Sequence, residues 1–383
     1  MPLIDRITRA PLWRSPSLPY GQRQLVVACF ESEIPHLATV ITPQNCQQIE
    51  RLVLFDHHPG LPRAVVLGME HGAPRKIPVS APESLRHRPH CELIFFNYSY
   101  NYENLSAGHA ILAGLGFPTY HVAMPYLYNE GHQTIHAPTY YEDHRPELDA
   151  AYALLEDETS RQVFASRIRA LCTGNVGFLQ VADYPQYVHP LVRPQQGDVV
   201  IDGGVSAVIG EQQALLAAVG DTGRVFGFEP DPQGHAAAQR QLAALPGASR
   251  YTLLQQGLWH EQTTVRFSPA GVGSHVSAGT EAGIAVQMTT VDAVAQEYGL
   301  QDVHFIKLDV EGSECNAIRG AAETIARCKP RLAISVYHRL EDLYRIPQQL
   351  RAMVPEYRFH LGHHHPVLFE TILYARPSGA CKC

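Results

Sequence analysis

The sequence predicts an α/β protein, with a doubly wound C-terminal sheet preceded by a smaller α/β domain and a helical linker. Three observations carry this reading. Short apolar runs alternate with helical stretches along most of the 383 residues. The alternation becomes most regular from Gly197 onward. Glycines and acids directly follow the apolar runs there, at the strand ends where open α/β sheets hold ligands.

A chain of this length fits two domains better than one. The expected division is an N-terminal α/β domain over 1–145, a helical linker over 146–189 and a second domain over 190–383. In the first domain the apolar runs Leu25–Ala28, Leu52–Phe55, Ala64–Leu67 and Leu93–Phe96 read as strands of a mainly parallel sheet. Gln44–Arg51 and Leu105–Leu115 read as helices between them. The tyrosine- and asparagine-rich segment around Tyr98, Tyr100 and Tyr102 either lines a pocket or forms the polar end of a strand. The linker shows the clearest helical pattern outside the second domain. Pro146 suits a first turn, and Asp157, Thr159 or Ser160 is placed to break the segment into two helices.

In the second domain, strands are expected at GDVVIDGG, RVFGFEPD, YTLLQQGLW, VHFIKLDVEG and RLAISVYH, with a short one at Gln287–Thr290 and another at Phe369–Tyr374. Helices are expected over Gln212–Val219, His235–Leu245, Val291–Tyr298 and Glu314–Arg327.

Composition narrows the partners. The formal net charge of -7 offers no broad basic surface, which argues against nucleic acid. No apolar run is long enough to span a membrane, and the first residues lack the apolar core of a signal peptide. The eight cysteines form no CxxC pair, so they read as free thiols in a cytoplasmic protein. Cys381 and Cys383 read as part of a frayed tail. Tyr98, Tyr100, Tyr102, Tyr126 and Tyr128 suggest an interface between two copies, an internal cluster or a cleft wall.

Four constellations carry chemistry. Val199–Gly204 is an apolar strand that ends Asp202-Gly203-Gly204, and a helix follows. Glycine permits a sharp turn and close approach of a ligand to the backbone. Glu229 ends the next strand, 27 residues after Asp202, the interval of one strand-helix-strand unit. A carboxylate there can accept hydrogen bonds from both hydroxyls of an adenosine ribose. NAD and S-adenosylmethionine share that feature. GGVSAVIG at 203–210 lacks the tight glycine crossing a pyrophosphate needs, which favours S-adenosylmethionine.

The third constellation is Asp309-Val310-Glu311-Gly312-Ser313-Glu314. Asp309 and Glu311 converge if the chain turns at Asp309, whereas Glu314 alone reads as a favourable first-turn acid. His338, after the strand Leu332–Val336, is the fourth. With an unperturbed pKa of about 6.5 its ring is expected mostly neutral and able to accept a proton from a hydroxyl. HLGHHH at 360–365 reads as a polar loop or as a source of metal ligands. A divalent ion shared by Asp309, Glu311 and His363 is chemically admissible.

These motifs together resemble the FkbM family of S-adenosylmethionine-dependent methyltransferases. The resemblance rests on GDVVIDGG, VFGFEPDP, FIKLDVEGSE, RGA at 319–321, LAISVYHRLEDL and ETILYA, and covers roughly 150–377. It implies a class I (Rossmann-like) methyltransferase sheet and O-methylation of a hydroxyl on a sugar, glycan or natural product. It places Asp202 and Gly204 at the cofactor turn, Glu229 on the ribose, and Asp309 with Glu311 at the active-site edge. Combined with the strand-end reading, the expected cofactor contacts are Asp202, Gly203, Gly204, Ser206, Glu229, Gly257 and Asp309, and the expected catalytic pair is His338 with Asp309. The chain departs from the family at the turn, where glycine falls at Gly210 rather than at Val208. A scaffold protein with a degenerate fold and a nicotinamide-linked oxidoreductase are the rival readings.

Overall fold

The computed structural model describes residues 25–40, 49–70, 73–87, 92–96, 102–117, 121–123, 129–130, 133–134, 137–173, 178–205, 209–268, 275–276, 284–365 and 368–379. The chain divides into two compact units. One comprises Met1–Arg145 with Ala165–Leu179, the other Pro146–Phe164 with Gln180–Cys383.

The first unit holds a six-stranded sheet. Its strands are β1 (Leu25–Cys29), β2 (Ile49–Leu54), β3 (Ala64–Glu70), β4 (Ala73–Ser80), β5 (Glu92–Phe96) and β6 (His121–Ala123), in the order β3-β4-β2-β1-β5-β6. All neighbours run parallel except the β3–β4 hairpin. Helices α1 (Ile34–Val40) and α2 (Tyr102–Gly114) belong to this unit, as does a short helix over Ala137–Asp143. The expected helix over Gln44–Arg51 is not formed at its end, where Ile49–Arg51 enter β2 beside β1. Ile49 and Leu52 bury their side chains there. Residues 44–48 lie outside the described residues, as do Tyr98, Tyr100, Tyr126, Tyr128, Cys381 and Cys383.

The linker forms two helices, α3 (Arg145–Leu154) and α4 (Glu158–Thr173). Asp157 separates them. Its carboxylate accepts from the Ser160 backbone N–H at 2.7 Å and the Ser160 hydroxyl at 2.9 Å, capping α4.

The second unit is built on a seven-stranded sheet. Its members are β7 (Val199–Gly203), β8 (Arg224–Phe228), β9 (Tyr251–Leu254), β14 (Phe305–Leu308), β15 (Arg331–Ser335), β16 (Tyr357–His363) and β17 (Thr371–Pro377). The order is β9-β8-β7-β14-β15-β17-β16. The first five run parallel, and β17 is antiparallel to both of its neighbours. The order reverses between β7 and β14, the place where such sheets open a crevice for ligands. Helices α5 (Gly210–Val219), α6 (Pro232–Leu242), α7 (Val291–Glu297), α8 (Glu314–Arg319), α9 (Ala322–Cys328) and α10 (Asp342–Met353) complete the unit. Central strands are apolar on both faces, as helix-covered parallel strands must be. Val200, Ile201, Phe226, Phe228, Phe305, Ile306, Leu332 and Ile334 are all buried.

Three expectations are corrected here. YTLLQQGLW is not one strand. Its end, β10 (Gly257–Leu258), joins a separate small sheet with β11 (Thr263–Ser268), β12 (His275–Val276) and β13 (Ile284–Thr289). Glu314–Arg327 is not one helix but two, α8 and α9, separated by Gly320 and Ala321; a Cβ on Gly320 would lie 1.9 Å from the Trp259 carbonyl oxygen. HLGHHH is not a loop over its first four residues, since His360 to His363 belong to β16. Burial of His360 and His363 is matched by local partners. His360 Nδ1 lies 2.6 Å from Asp157 Oδ2, and His363 Nδ1 lies 2.8 Å from Thr371 Oγ1.

Asp157 thus joins a helix cap to the edge strand β16. Asp157→Ala is expected to cost about 1–2 kcal/mol, read as a lowered urea midpoint of the second unit. Unchanged stability would show that the cap and the His360 contact do not hold the linker.

Candidate active site

Parallel strands β8, β7, β14 and β15 end side by side, and each delivers a glycine or a polar residue to one edge. Gly204 follows β7, Glu229 follows β8, Asp309 follows β14 and His338 lies three residues beyond β15. Antiparallel β17 begins at that edge and brings Glu370 just before it.

The turn after β7 explains its glycines. Gly204 has φ +84°, and a Cβ there would lie 1.8 Å from the Asp309 carbonyl oxygen. Only glycine allows the β7 and β14 turns to approach so closely. Gly203 is also confined, since a Cβ there would stand 2.9 Å from side-chain atoms of both Leu258 and Leu308. Gly257 faces Met288 in the same way, its Cβ position being 2.6 Å from the sulfur. Ser206 lies outside the described residues.

Beneath the turn sits an unforeseen ammonium. Lys307 is 1% exposed in the middle of β14. Its Nζ donates to the Gly204 carbonyl at 2.6 Å and pairs with Asp202 at 3.2 Å and Glu211 at 3.5 Å. Burial alone would favour the neutral amine, but Asp202 and then Glu211 hold its pKa well above the usual lysine range. Asp202 is fully buried and also accepts from Tyr251 Oη at 2.6 Å and Gln212 Nε2 at 3.1 Å. Its carboxylate therefore supports the turn from below. The cofactor-side place expected of Asp202 is thus one of support beneath the turn.

Glu229 is placed differently. Oε1 accepts from the Asp231 backbone N–H at 2.7 Å. Burial pushes its carboxyl up to about 7. Asp231 in turn caps α6 by accepting from Gly234 N–H at 2.8 Å.

Asp309 is held by three groups. The Tyr187 hydroxyl donates to Oδ2 at 2.7 Å and the Tyr337 hydroxyl to Oδ1 at 3.2 Å, while His338 Nε2 lies 3.4 Å from Oδ1. Burial opposes ionisation, yet His338 and Lys307 leave the Asp309 pKa below the ordinary value. Tyr187 is 3% exposed, at φ +61°, with Lys307 Nζ 5.2 Å from its ring centre. Sequence reasoning missed it because Tyr187 lies in an irregular segment with no periodicity or motif.

His338 is enclosed by acids. Nδ1 lies 2.9 Å from Glu314 Oε1, and Nε2 lies 3.3 Å from Glu311 Oε2. Glu314 is fully buried and its Oε1 also accepts from Val310 N–H at 2.9 Å, so it is far more than a first-turn acid. Glu311 has φ +52°, and this turn lets it and Asp309 both reach His338. Burial by itself favours a neutral ring. Glu314 first, then Glu311 and Asp309, raise the pKa well above the ordinary histidine value. The expectation of a mostly neutral imidazole is thereby corrected: the unperturbed value ignored three carboxylates.

Asp309, Glu314 and His338 offer ligand atoms within 4.8 Å of one another, a grouping that could hold a metal ion. The expected set used Glu311 and His363. The structure instead pairs His363 with Thr371 on β17 and puts His338 among the acids. Both ring nitrogens of His338 face carboxylates, so a metal would have to replace a proton of the imidazolium. No helix among the described residues is long and apolar enough to cross a membrane.

Residues 204–361 match the methyltransferase FkbM domain. The fold of the chain is similar to that of the methyltransferase FkbM from Methylobacillus flagellatus KT, with a TM-score of 0.66, 21% identity and 97% of each chain covered. A S-adenosylmethionine-dependent O-methyltransferase from Thermotoga maritima matches over 51% of this chain and 67% of its own, with 18% identity and a TM-score of 0.31. No curated protein matches the sequence.

Lys307→Met should destabilise the protein by about 3–5 kcal/mol, because Asp202 would be left buried without its cation. Chemical denaturation of the second unit checks this. A loss below about 1 kcal/mol would show that the pair is energetically idle.

Proposed function

We propose that the chain transfers a methyl group to a hydroxyl oxygen of a sugar, glycan or natural product, on a class I, Rossmann-like sheet. One observation carries this reading: Gly204, Glu229, Asp309 and His338 stand on consecutive strand ends at the reversal of strand order. The donor set suits S-adenosylmethionine. Among the described residues no cation forms an ion pair with Glu229, and a partly buried carboxyl of this kind suits two ribose hydroxyls. The acids around Asp309 suit a cofactor that carries positive charge. When bound, S-adenosylmethionine supplies a methyl group already activated for attack by oxygen, so no covalent enzyme intermediate is required.

The protein's own part is alignment and proton removal. Glu229 holds the ribose, and Gly203 and Gly204 admit the cofactor close to the backbone. Asp309, fixed by Tyr187 and Tyr337, accepts the hydrogen bond of the acceptor hydroxyl and draws its proton. His338, as an imidazolium, keeps Asp309 and Glu311 together at the edge. Its role as the neutral base is given up, because a ring already protonated has no lone pair to offer.

The ribose assignment is tested by titrating S-adenosylhomocysteine into wild type and Glu229→Ala. Loss of two charge-assisted hydrogen bonds should weaken binding by roughly 2–4 kcal/mol. Equal affinities would sink the assignment.

A pH series adds an independent reading. Glu229 titrates near 7, and only its ionised form accepts both hydroxyls. Wild-type affinity should therefore fall as pH drops below about 7, by about tenfold per unit at the acid limit, and this dependence should vanish in Glu229→Ala. A wild-type profile flat from pH 8 to pH 6 would contradict it.

A further inference from the structure

A polar cavity lies beside the turn that carries Glu311 and Gly312. It opens between α8 and α10 with a volume of about 630 Å³, within the size range of small-molecule sites. Its wall includes Gly312, Asn316, Arg319, Arg339, Asp342 and Arg345. Two of these adjoin the proposed chemistry in sequence, Gly312 following Glu311 and Arg339 following His338. They adjoin it in space as well. A Cβ on Gly312 would lie 3.1 Å from Arg339 Nε and 3.7 Å from His338 Cβ.

The charges in the cavity do not balance. Arg345 pairs with Glu341 at 3.5 Å. Arg339 spends its Nε on the Gly312 carbonyl at 2.8 Å, and Arg319 bonds the neutral Asn316 amide. Among the described residues neither Arg319 nor Arg339 has an ion pair. Asp342 does not neutralise them. It is 1% exposed, and its carboxylate accepts the Arg339 backbone N–H at 3.0 Å rather than pairing with the guanidinium. Two planar guanidinium groups thus border a polar cavity without a carboxylate partner. That fork geometry matches oxyanions, which accept paired hydrogen bonds from arginine.

We propose that this cavity binds an anionic oxygen group, phosphate or carboxylate, carried by the methyl acceptor, through Arg319 and Arg339. The inference rests on the methyl-transfer reading for the identity of that ligand as acceptor, and on cavity and charge alone for anion binding. A neutral sugar lacks the group these arginines can grip and leaves the surplus charge unmet.

Calorimetry on the full chain, with and without S-adenosylhomocysteine, tests it with glucose, glucose 6-phosphate and glucuronate as probes. At least one anionic sugar should bind about tenfold or more tightly than glucose, and the one that does identifies the anion as phosphate or carboxylate. Inorganic phosphate should compete with it. Arg319→Gln and Arg339→Gln should each reduce that preference by a comparable factor while keeping the wild-type melting temperature. Arg319 is exposed on α8, which makes Arg319→Gln the variant least able to disturb the fold. Equal binding of all three sugars, no binding of any, or a preference unmoved by both variants would overturn the proposal. The two arms separate the readings: failure to bind S-adenosylhomocysteine counts against methyl transfer, and absence of anion preference in the cofactor-free titration counts against this site.

Discussion

The buried ammonium of Lys307 is the constraint on which the site depends. It ties the centre of β14 to the Gly204 carbonyl, to Asp202 on β7 and to Glu211 on α5. Those three groups belong to the strand, turn and helix that border the proposed cofactor crevice. A charge so enclosed tolerates little displacement, because loss of any partner leaves an unpaired charge away from water. Gly204 can then sit against the Asp309 carbonyl, and Asp309 is brought to the edge where its carboxylate meets Tyr187, Tyr337 and His338. Packing, charge and backbone conformation meet in one place, and the reacting edge inherits its geometry from that place.

Electrostatics divides the edge into two parts. On the β8 side Glu229 stands without an ion-paired cation among the described residues, and its carboxyl is held near neutrality by burial. On the β14 and β15 side, three carboxylates surround one imidazolium. The first part suits the hydroxyls of a ribose. The second presents negative charge where a cationic cofactor and a hydroxyl proton would both be favoured. A single environment could not serve both needs, and the separation follows from which strand carries which residue.

Much of the parallel sheet was legible in the sequence because its strands are short apolar runs closed by glycine or acid, as at Val199–Gly203 and Phe305–Leu308. The linker break was legible because Asp157 and Ser160 can cap a helix. What escaped had a physical reason in each case. Strand β16 was obscured by histidines, whose burial depends on partners distant in sequence, Asp157 for His360. Helix α10 was passed over, its apolar face hidden by an internal Pro347 and many polar residues. Lys307 reads as a flaw in an apolar strand until Asp202 and Glu211 are seen beside it. Tyr187 carried no local signal at all, and Glu370 was visible only as the first residue of ETILYA. For His338 the position was legible and the protonation state was not, since charge at a histidine is set by neighbours that only folding assembles.

The central claim is that the edge formed by Gly204, Glu229 and Asp309 is where the cofactor binds. A crystal structure of the chain with S-adenosylhomocysteine tests it most directly. The account expects the ribose hydroxyls within hydrogen-bond distance of Glu229, and the homocysteine portion against the Gly203–Gly204 turn beside Asp309. Adenosine bound elsewhere, or a ribose held by residues other than Glu229, would contradict it.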